Sequence, residues 1–305
     1  MIRAVCIGEA MIELRSAGAD LFARAIAGDA YNTAVYMRRA LGADNDVAFL
    51  TAVGDDSLSG ALREDFVAHG LSDRLAFTTK GRSPGLYLIE LDAQGDRSFH
   101  YWRQASAARL WMKSLRARGG GALLAGADLI YFSGISLAIL EPEERAEALA
   151  MLGALRGQVG RIAFDPNVRP KLWPDLETAR VAVEAACALS DIVLPSSVDG
   201  EMIWNEHDPQ RQLDRYRALG PAEIALTQGE AGVLLACDGD SHRIAALKAK
   251  VVDTSGAGDS FNGAYLAARL QGLDPQTAVS AGQMLAAVVV TKPGALVKGA
   301  ASVAG

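Results

Sequence analysis

Residues 253–266 read Asp-Thr-Ser-Gly-Ala-Gly-Asp-Ser-Phe-Asn-Gly-Ala-Tyr-Leu, and this stretch decides the fold. A turn of small residues leads directly into an amphipathic helix, because Phe261, Ala264, Tyr265 and Ala268 recur on one helical face. The first turn of a helix carries free N–H groups and the positive end of the dipole, which together favour an anion. Small residues here let a phosphate approach the backbone closely.

Asp259 lies in the same turn, where a carboxylate would repel a bound phosphate. It is therefore interpreted as a general base that takes the proton from the group attacking phosphorus. Gly256, Ala257 and Gly258 would hold the transferring phosphoryl group, so these four residues are the candidate catalytic set. The combination predicts phosphoryl transfer to a hydroxyl. On its own, the segment would also fit an ordinary loop followed by a helix-start acid.

Short apolar segments alternate with helical patterns along most of the chain. The predicted strands are Val5–Gly8, Leu129–Phe132, Ile162–Asp165, Ile192–Pro195 and Ile224–Thr227. The predicted helices are Asn32–Leu41, Leu58–His69, Glu143–Leu155, Leu176–Leu189 and Asp259–Leu270. This alternation predicts an α/β fold, a doubly wound and mostly parallel sheet with helices on both faces. Residues 1–305 are predicted to form one domain.

Residues 84–103 break this rhythm. Leu86–Leu91 and Arg97–Arg103 alternate like paired strands around the turn residues Asp92–Asp96, which predicts a hairpin. Residues 11–26 are predicted to add strands beside it. An antiparallel insertion in an α/β chain is interpreted as a small β lid from about 11–26 and 84–103. The alternative is a plain extension of the sheet.

Composition excludes several classes of partner. Thirty basic and 36 acidic residues give a net charge of −6 with no basic block, so neither a nucleic acid nor an anionic membrane is expected. No apolar stretch is long enough to span a bilayer. Cys6 and Cys187 lie in apolar runs, which predicts that their thiols are buried. The sparse and odd count of Cys6, Cys187 and Cys237 predicts a reducing, cytoplasmic location.

Polar residues follow the predicted strands at the sheet edge where α/β proteins bind ligands. They include Asn167, Ser196 and Thr227. Thr227 opens a glycine-containing segment that ends at Gly232. No P-loop, dinucleotide-binding or protein-kinase motif is present in the chain, so a nucleotide must be held in another way.

The 253–266 segment resembles the second signature of the ribokinase-like (PfkB) sugar kinases. The matching positions are Asp253, Thr254, Gly256, Ala257, Gly258, Asp259, Gly263 and Ala264. Residues 27–34 resemble the first signature, in which Gly28 and Asn32 would contact sugar hydroxyls; a simple helix cap is the alternative. The resemblance implies ATP and Mg²⁺ as cofactors. The nucleotide-binding residues it implies are Asn167, Ser196, Thr227, Gly229, Gly232, Gly256 and Gly258.

Other segments are similar to the 2-keto-3-deoxygluconate kinases of that family. They are residues 8–14, the Tyr87 strand, residues 101–103 and residues 165–169. The similarity implies a sugar acid as substrate. The substrate contacts it implies are Gly28, Asn32, Tyr87, Tyr101, Arg103 and Arg169. An arginine suits a carboxylate because its guanidinium can bind both oxygens at once.

The resemblance also implies ion sites and an assembly. Many relatives carry an Asn-x-x-Glu motif, but this chain has Ser196, so Asp199 or Glu201 would take the place of the glutamate near Mg²⁺. Asp253 and Ser255 resemble part of a monovalent-cation site, which would bind K⁺. Association of copies through the lid is a further expectation.

Two other functions remain open from the sequence. One is a fructokinase- or ribokinase-type enzyme that acts on a neutral sugar. The other is a sensor that binds sugar and nucleotide without turnover. Asp259 argues against the sensor, because a pure binder gains nothing from an acid beside phosphate.

Overall fold

The computed structural model describes residues 1–18, 21–91 and 97–300. The strands are β1 (Arg3–Ile7), β2 (Met11–Ser16), β3 (Phe22–Ala27), β4 (Asp46–Val53), β5 (Ala76–Thr78), β6 (Gly85–Leu91), β7 (Arg97–Trp102), β8 (Leu129–Ser133), β9 (Arg161–Asp165), β10 (Ile192–Val193), β11 (Glu223–Thr227), β12 (Val233–Cys237) and β13 (Asp240–Ile244). The helices are α1 (Asp29–Leu41), α2 (Ser57–Ala68), α3 (Trp111–Arg116), α4 (Gly134–Ala138), α5 (Pro142–Leu155), α6 (Leu176–Leu189), α7 (Ser197–Trp204), α8 (Pro209–Ala218), α9 (Ala257–Leu270) and α10 (Pro275–Val289).

The large sheet has the strand order β13-β12-β11-β10-β9-β8-β1-β4-β5. Its strands pair in parallel from β11 to β5, while β12 and β13 pair antiparallel at one edge. Strand residues alternate between two cores: Val5 and Ile7 face one, and Ala4 and Cys6 face the other. Helices α3 to α8 cover the first core, whereas α1, α2, α9 and α10 cover the second. The predicted α/β architecture with helices on both faces is therefore confirmed.

Most predicted elements occur with small shifts at their ends. Helix α6 has both predicted ends, and α2 begins where Asp56 accepts a hydrogen bond from the Ser59 amide at 2.7 Å. Helix α1 begins at Asp29, three residues before the prediction, and α9 begins at Ala257 rather than at Asp259. Strand β10 is shorter than predicted. The strands β4, β5, β12 and β13 and the helices α3, α4, α7, α8 and α10 were not predicted.

A second sheet has the order β3-β2-β6-β7. Strands β6 and β7 pair antiparallel, as the hairpin prediction requires, and β2 pairs in parallel with β6, as expected for residues 11–26. The predicted turn at 92–96 lies outside the described residues. The second strand of this hairpin, β7, ends at Trp102, so Arg103 directly follows it.

The cysteines and the apolar character of the helices can also be compared with the sequence. Cys6, Cys187 and Cys237 are all buried and unpaired, as predicted for Cys6 and Cys187. Among the helices of the described residues, none combines the length and the apolar character that crossing a bilayer requires.

Candidate active site

The start of α9 is a backbone turn that only glycine fits well. Gly256 has a φ of 73° and caps the helix without a side-chain hydrogen bond. A Cβ at Gly256 would lie 2.4 Å from the carbonyl oxygen of Ala295, whereas a Cβ at Gly258 would meet nothing within 4 Å. The amide of Ala257 donates to the carbonyl of Thr254 at 3.2 Å. The open backbone beside an anion-attracting helix end is therefore at Gly258 and Asp259 rather than at Ala257.

Asp259 is held by a residue of the opposing helix. The Asn32 side chain donates its Nδ2 hydrogen to Asp259 Oδ2 at 2.7 Å. Burial raises the pKa of Asp259 to about 7, and the negative charge of Asp29 acts in the same direction, against the Asn32 hydrogen bond and the positive charge of Arg169. Part of the Asp259 side chain still reaches solvent. A carboxylate of this pKa can take up a proton near neutral pH.

Close packing of α1 and α9 produces this contact. A Cβ at Gly263 would lie 2.7 Å from the Cβ of Tyr36 and 2.8 Å from the carbonyl oxygen of Thr33, so only glycine lets the two backbones approach so closely. Gly28, which precedes α1, packs against the backbone of Glu9. A Cβ at Gly28 would lie 2.1 Å from the Glu9 carbonyl oxygen. The first-signature residues Gly28 and Asn32 are therefore positioned by backbone packing.

A group of carboxylates and amides surrounds Asp259 at the end of β9. The Asp165 Oδ1 accepts the Asn167 amide at 3.0 Å, and its Oδ2 accepts from Asn262 Nδ2 at 2.9 Å. Asn167 also donates its Nδ2 hydrogen to Asp29 Oδ2 at 2.9 Å. Burial raises the pKa of Asp165 well above its usual value, and the nearby carboxylates of Asp199, Asp29 and Asp259 act in the same direction.

Sequence reasoning missed Asp29 and Asn262 as members of this group. Both lie within the segments that suggested the site: Asp29 directly follows Gly28, and Asn262 lies three residues after Asp259. The available signal was the polar Asn262 within the apolar run of α9, and in the structure this residue is 3% exposed. Buried polar side chains need hydrogen-bond partners, which predicts a polar neighbour.

Arg169 lies beside Asp259, Asp165 and Tyr101. Its positive charge lowers the pKa of all three groups relative to the effect of burial alone. The side chain is exposed, and its Nη1 donates to the carbonyl of its neighbour Val168 at 3.1 Å. Among the residues that the structure describes, no carboxylate forms a close ion pair with it. Arg169 is therefore an exposed cation beside the Asp259 and Asp165 carboxylates, with its guanidinium unpaired in this part of the chain.

Arg103 differs from Arg169 in its surroundings. It is 8% exposed and forms an ion pair with Glu9, which is 1% exposed. Glu9 Oε1 and Arg103 Nε find no hydrogen-bond partner among the described residues. The guanidinium also lies over the Tyr101 ring, 5.9 Å from its centroid. Arg103 thus reaches the site already neutralised by Glu9, a partner that the sequence did not reveal.

Tyr87 and Tyr101 lie on one face of the second sheet, with ring centroids 5.7 Å apart. Tyr87 is buried, and its hydroxyl donates to Glu13 Oε2; burial and that carboxylate raise the pKa of Tyr87. Tyr101 is 45% exposed and lies near Arg103 and Arg169. Of the two tyrosines, only Tyr101 has much surface left for a ligand.

The candidate nucleotide segments follow β10 and β11. Thr227 donates its amide to the Pro195 carbonyl at 2.9 Å, which places Thr227 beside Ser196. Gly229 and Gly232 have φ values of 56° and 97°. A Cβ at Gly232 would lie 2.1 Å from the Ile244 carbonyl oxygen, so glycine is required there, while Gly229 borders open space. The described contacts do not join this turn directly to Asp259.

Asp199 is used by the protein's own backbone. Its Oδ1 accepts the Val168 amide at 2.7 Å, and its Oδ2 accepts from the Ser196 amide and hydroxyl at 2.9 and 2.7 Å. These bonds cap α7 and favour a structural role over direct coordination of a metal. Glu201 lies two positions further along α7 and so does not share a face with Asp199. Within the described residues, no three His, Cys, Asp or Glu side chains form a metal-binding group.

Asp253 and Tyr36 fix the segment that packs against Gly256. Asp253 accepts the Ser255 amide at 2.8 Å and the Gly294 amide at 2.7 Å. The Tyr36 hydroxyl donates to the Ala295 carbonyl at 2.7 Å and accepts the Val297 amide at 3.0 Å. Because Ala295 is the residue that contacts Gly256, Tyr36 indirectly positions the start of α9.

Replacing Tyr36 by phenylalanine is therefore expected to raise the KM for nucleotide several-fold and to cost about 1–3 kcal/mol of stability, the range for leaving buried polar groups unpaired. Steady-state kinetics and thermal unfolding measure both effects. Tyr31→Phe is the matched control, since Tyr31 lies on the same helix and bonds Asp65 away from the α9 turn. Equal KM values in the two variants would contradict the positioning role of Tyr36.

Comparison with known proteins yields matches along nearly the whole chain. A family model described as "pfkB family carbohydrate kinase" matches residues 1–298. The chain is 40% identical over 296 residues to a protein of Dickeya dadantii (strain 3937) named 2-dehydro-3-deoxygluconokinase, covering 95% of both chains. It is 35% identical to the protein of that name from Escherichia coli (strain K12), covering 95% of this chain and 96% of the other. The crystal structure of a PfkB protein from Polaromonas sp. JS666 matches with a TM-score of 0.84 and 26% identity, covering 96% of each chain.

Proposed function

The chain belongs to the pfkB family of carbohydrate kinases, and from this premise we propose that it transfers the γ-phosphoryl group of ATP to 2-keto-3-deoxygluconate (2-dehydro-3-deoxy-D-gluconate). The acceptor is the terminal hydroxyl, and the product is the 6-phosphate. The Dickeya dadantii and Escherichia coli relatives bear the name of this activity. The hydrogen bond from Asn32 to Asp259, beside the open turn at Gly258 and the exposed guanidinium of Arg169, is the observation that carries the proposal.

Asp259 acts as the general base. Asn32 holds Oδ2 of the carboxylate, so the lone pairs of Oδ1 are turned to the substrate and accept the hydroxyl proton. The substrate oxygen then forms a bond to the γ-phosphorus while the bond from that phosphorus to the bridging oxygen breaks, and ADP leaves. The open backbone at Gly258 and Asp259 stabilises the charge on the transferring phosphoryl group.

ATP is the phosphoryl donor. Its phosphates would lie along the edge formed by Asn167, Ser196 and Thr227 and reach the turn of Gly256 and Gly258. The turn of Gly229 and Gly232 would lie between the phosphates and the nucleotide base. Gly229 borders open space there, and the absence of a side chain allows its positive φ.

Mg²⁺ fits this site as an ion held mainly by phosphate and water. The Asp199 carboxylate accepts the Val168 and Ser196 backbone amides, so we propose that Glu201 would contact the ion through water, as magnesium sites commonly require. When bound, the ion neutralises charge on the phosphate oxygens. For a monovalent cation, K⁺, we propose Asp253 and Ser255, which join the α9 turn to Gly294. Replacing K⁺ by a bulky organic cation in the assay tests that assignment.

A sugar acid is favoured over a neutral sugar by the charges of the cleft. Asp29 and Asp259 place negative charge at the site, so an anionic substrate needs a positive partner there. Arg169 is that partner, while Arg103, neutralised by Glu9, supports the Tyr101 face of the site. Gly28, Asn32 and Tyr101 complete the substrate contacts that we propose, and Tyr87, whose hydroxyl is bonded to Glu13, would support the Tyr101 ring beside them.

A substrate panel tests the proposed function. Purified protein is assayed for ADP release with 2-keto-3-deoxygluconate, fructose and ribose, each with ATP and Mg²⁺. We expect the highest kcat/KM for the sugar acid. A higher value for fructose or ribose would replace the proposal by a neutral-sugar kinase, and sugar-acid binding without ADP release would replace it by a sensor.

The second sheet is proposed to act as a lid of a single kinase domain. Residues 11–26 and 84–103 would close over the sugar and exclude water, which suppresses hydrolysis of ATP. The three unpaired thiols support a reducing compartment, and we propose the cytoplasm, which cell fractionation tests.

The lid is also proposed to join copies of the chain, because Phe22 and Trp102 lie on the same face of its sheet and are each more than 50% exposed. Replacing Trp102, which is 59% exposed, by glutamate is expected to convert a dimer into a monomer by multi-angle light scattering. Val181→Glu, at an equally exposed apolar site on α6, is the control. A wild-type monomer, or a dimer in both variants, would contradict association through Trp102.

A further inference from the structure

Asp29 lies within the site, yet neither the phosphate turn nor the sugar contacts account for it. It is the first residue of α1, and its Oδ2 accepts the Asn167 side chain at 2.9 Å. Asn167 has a φ of 32°, in the positive region that asparagine adopts more readily than other non-glycine residues. Its backbone amide is fixed by Asp165 at 3.0 Å. Asp29 and Asp165 thus hold the side chain and the backbone amide of Asn167, two positions before Arg169.

Several charged and titratable groups face Asp259. Asp29 and the Tyr36 hydroxyl approach from α1, the Tyr131 hydroxyl from β8, and Asp165 from β9; Arg169 approaches from the loop that follows. Arg169 is the cation of this set. Asp29 lies one helical turn before Asn32, whose side chain bonds Asp259 at 2.7 Å, so both residues lie on the face of α1 that is turned to Asp259. The charge of Asp29 therefore acts on Asp259.

We propose that Asp29 is a positioning residue for the kinase reaction: it places a second negative charge next to the catalytic carboxylate and, through Asn167, fixes the strand end that carries Arg169. This inference rests on the proposed function, since it assigns Asp259 the role of base. A nearby like charge disfavours the ionised form, which raises the pKa of Asp259 and makes it a stronger base. Arg169 opposes this effect, so without Asp29 the cation would leave Asp259 a weaker base.

Two substitutions separate the charge of Asp29 from its hydrogen bond. Asp29→Asn removes the charge but keeps an oxygen that can accept from Asn167, whereas Asp29→Ala removes both. For D29N, we expect the acid limb of the pH profile of kcat/KM to move to lower pH, with at least about twice the wild-type fraction of maximal rate retained at pH 6. For D29A, we expect the same shift together with a several-fold higher KM for the sugar acid, because Arg169 is less well placed.

The titration of Asp259 is also read without any substrate, from the carboxyl ¹³C resonance that disappears in Asp259→Asn. Glu177→Gln, which removes a first-turn acid from the remote helix α6, is the control and should leave both the profile and the resonance unchanged. A D29N resonance that titrates at lower pH than in the wild type supports the inference even if the sugar acid is not turned over, in which case the proposed function alone fails. An unchanged titration in D29N overturns the inference.

Discussion

Replacing Asp259 by asparagine is expected to lower kcat by at least ~10²-fold, the lower range for loss of a general base. Asparagine matches aspartate in shape, and its side-chain oxygen can still accept the hydrogen bond from Asn32, so the fold should persist. What is lost is the ability to take the proton from the attacking hydroxyl. The affinity for ATP should change little or improve, because a negative charge beside the phosphates is removed.

The wild-type pH profile gives the same expectation a second readout. The pKa of Asp259 is raised to about 7, so the carboxylate is deprotonated above this pH and protonated below it. Since only the deprotonated form accepts a proton, the rate should fall about tenfold per pH unit below about pH 7. In Asp259→Asn this limb should disappear along with most of the activity.

Initial rates of ADP release across pH, together with circular dichroism and thermal unfolding, measure these effects. Asp44→Asn is the matched control, because Asp44 is exposed on the loop after α1 and away from the site. A folded Asp259→Asn protein with near-normal kcat would remove Asp259 from the role of base.

The turn before α9 and the α/β architecture could be predicted because their causes are local. The small residues at 256–258 and the helical periodicity after them specify a turn and a helix without knowledge of the rest of the chain. The same holds for α6, with its apolar periodicity and Asp175 cap. In the sheet, the alternation of strands and helices was enough to predict parallel pairing, although β12 and β13 were not predicted at its antiparallel edge.

Contacts between distant parts of the chain could not be predicted in this way. Glu9 and Arg103 are 94 positions apart, and only the second sheet brings them together. Asp29 and Asn167 are separated by 138 positions, so neither residue's neighbours in sequence indicate the other. Asp199 combines local and distant contacts. Its Oδ2 accepts from the nearby Ser196, whereas its Oδ1 accepts from the Val168 amide, 31 positions away.

The two arginines show why residue type alone does not assign a role. Both were expected to contact the substrate, yet Arg103 is buried against Glu9 while Arg169 is exposed beside Asp259 and Tyr101. A buried ion pair that loses one partner leaves an unpaired charge and typically costs 3–5 kcal/mol. Substitution of Arg103 is thus a test of stability as much as of binding, and Arg169 is the cleaner probe of substrate charge.

Replacing Arg169 by alanine is expected to raise the KM for the sugar acid by ~10–10²-fold, since a hydrogen bond to a charged group contributes about 1.5–3 kcal/mol. The KM for ATP should change less than about threefold. Arg169→Lys should lie between alanine and the wild type, because lysine keeps the charge but cannot bind both carboxylate oxygens. The ratio of kcat/KM for the sugar acid to kcat/KM for fructose should decrease in the same order of variants.

Steady-state kinetics with each substrate varied in turn measures this split, and Arg180→Ala on α6, which removes an arginine paired with Glu177 and Glu184, is the control. Within the described part of the chain, the side chain of Arg169 makes one hydrogen bond, to its own segment, so the alanine variant should unfold at nearly the wild-type temperature. If the KM values for the sugar acid and for ATP rise together, or if the preference for the sugar acid over fructose is kept, Arg169 stabilises its loop and does not bind the substrate. The carboxylate would then have to be bound by Arg103, which requires Glu9 to release it.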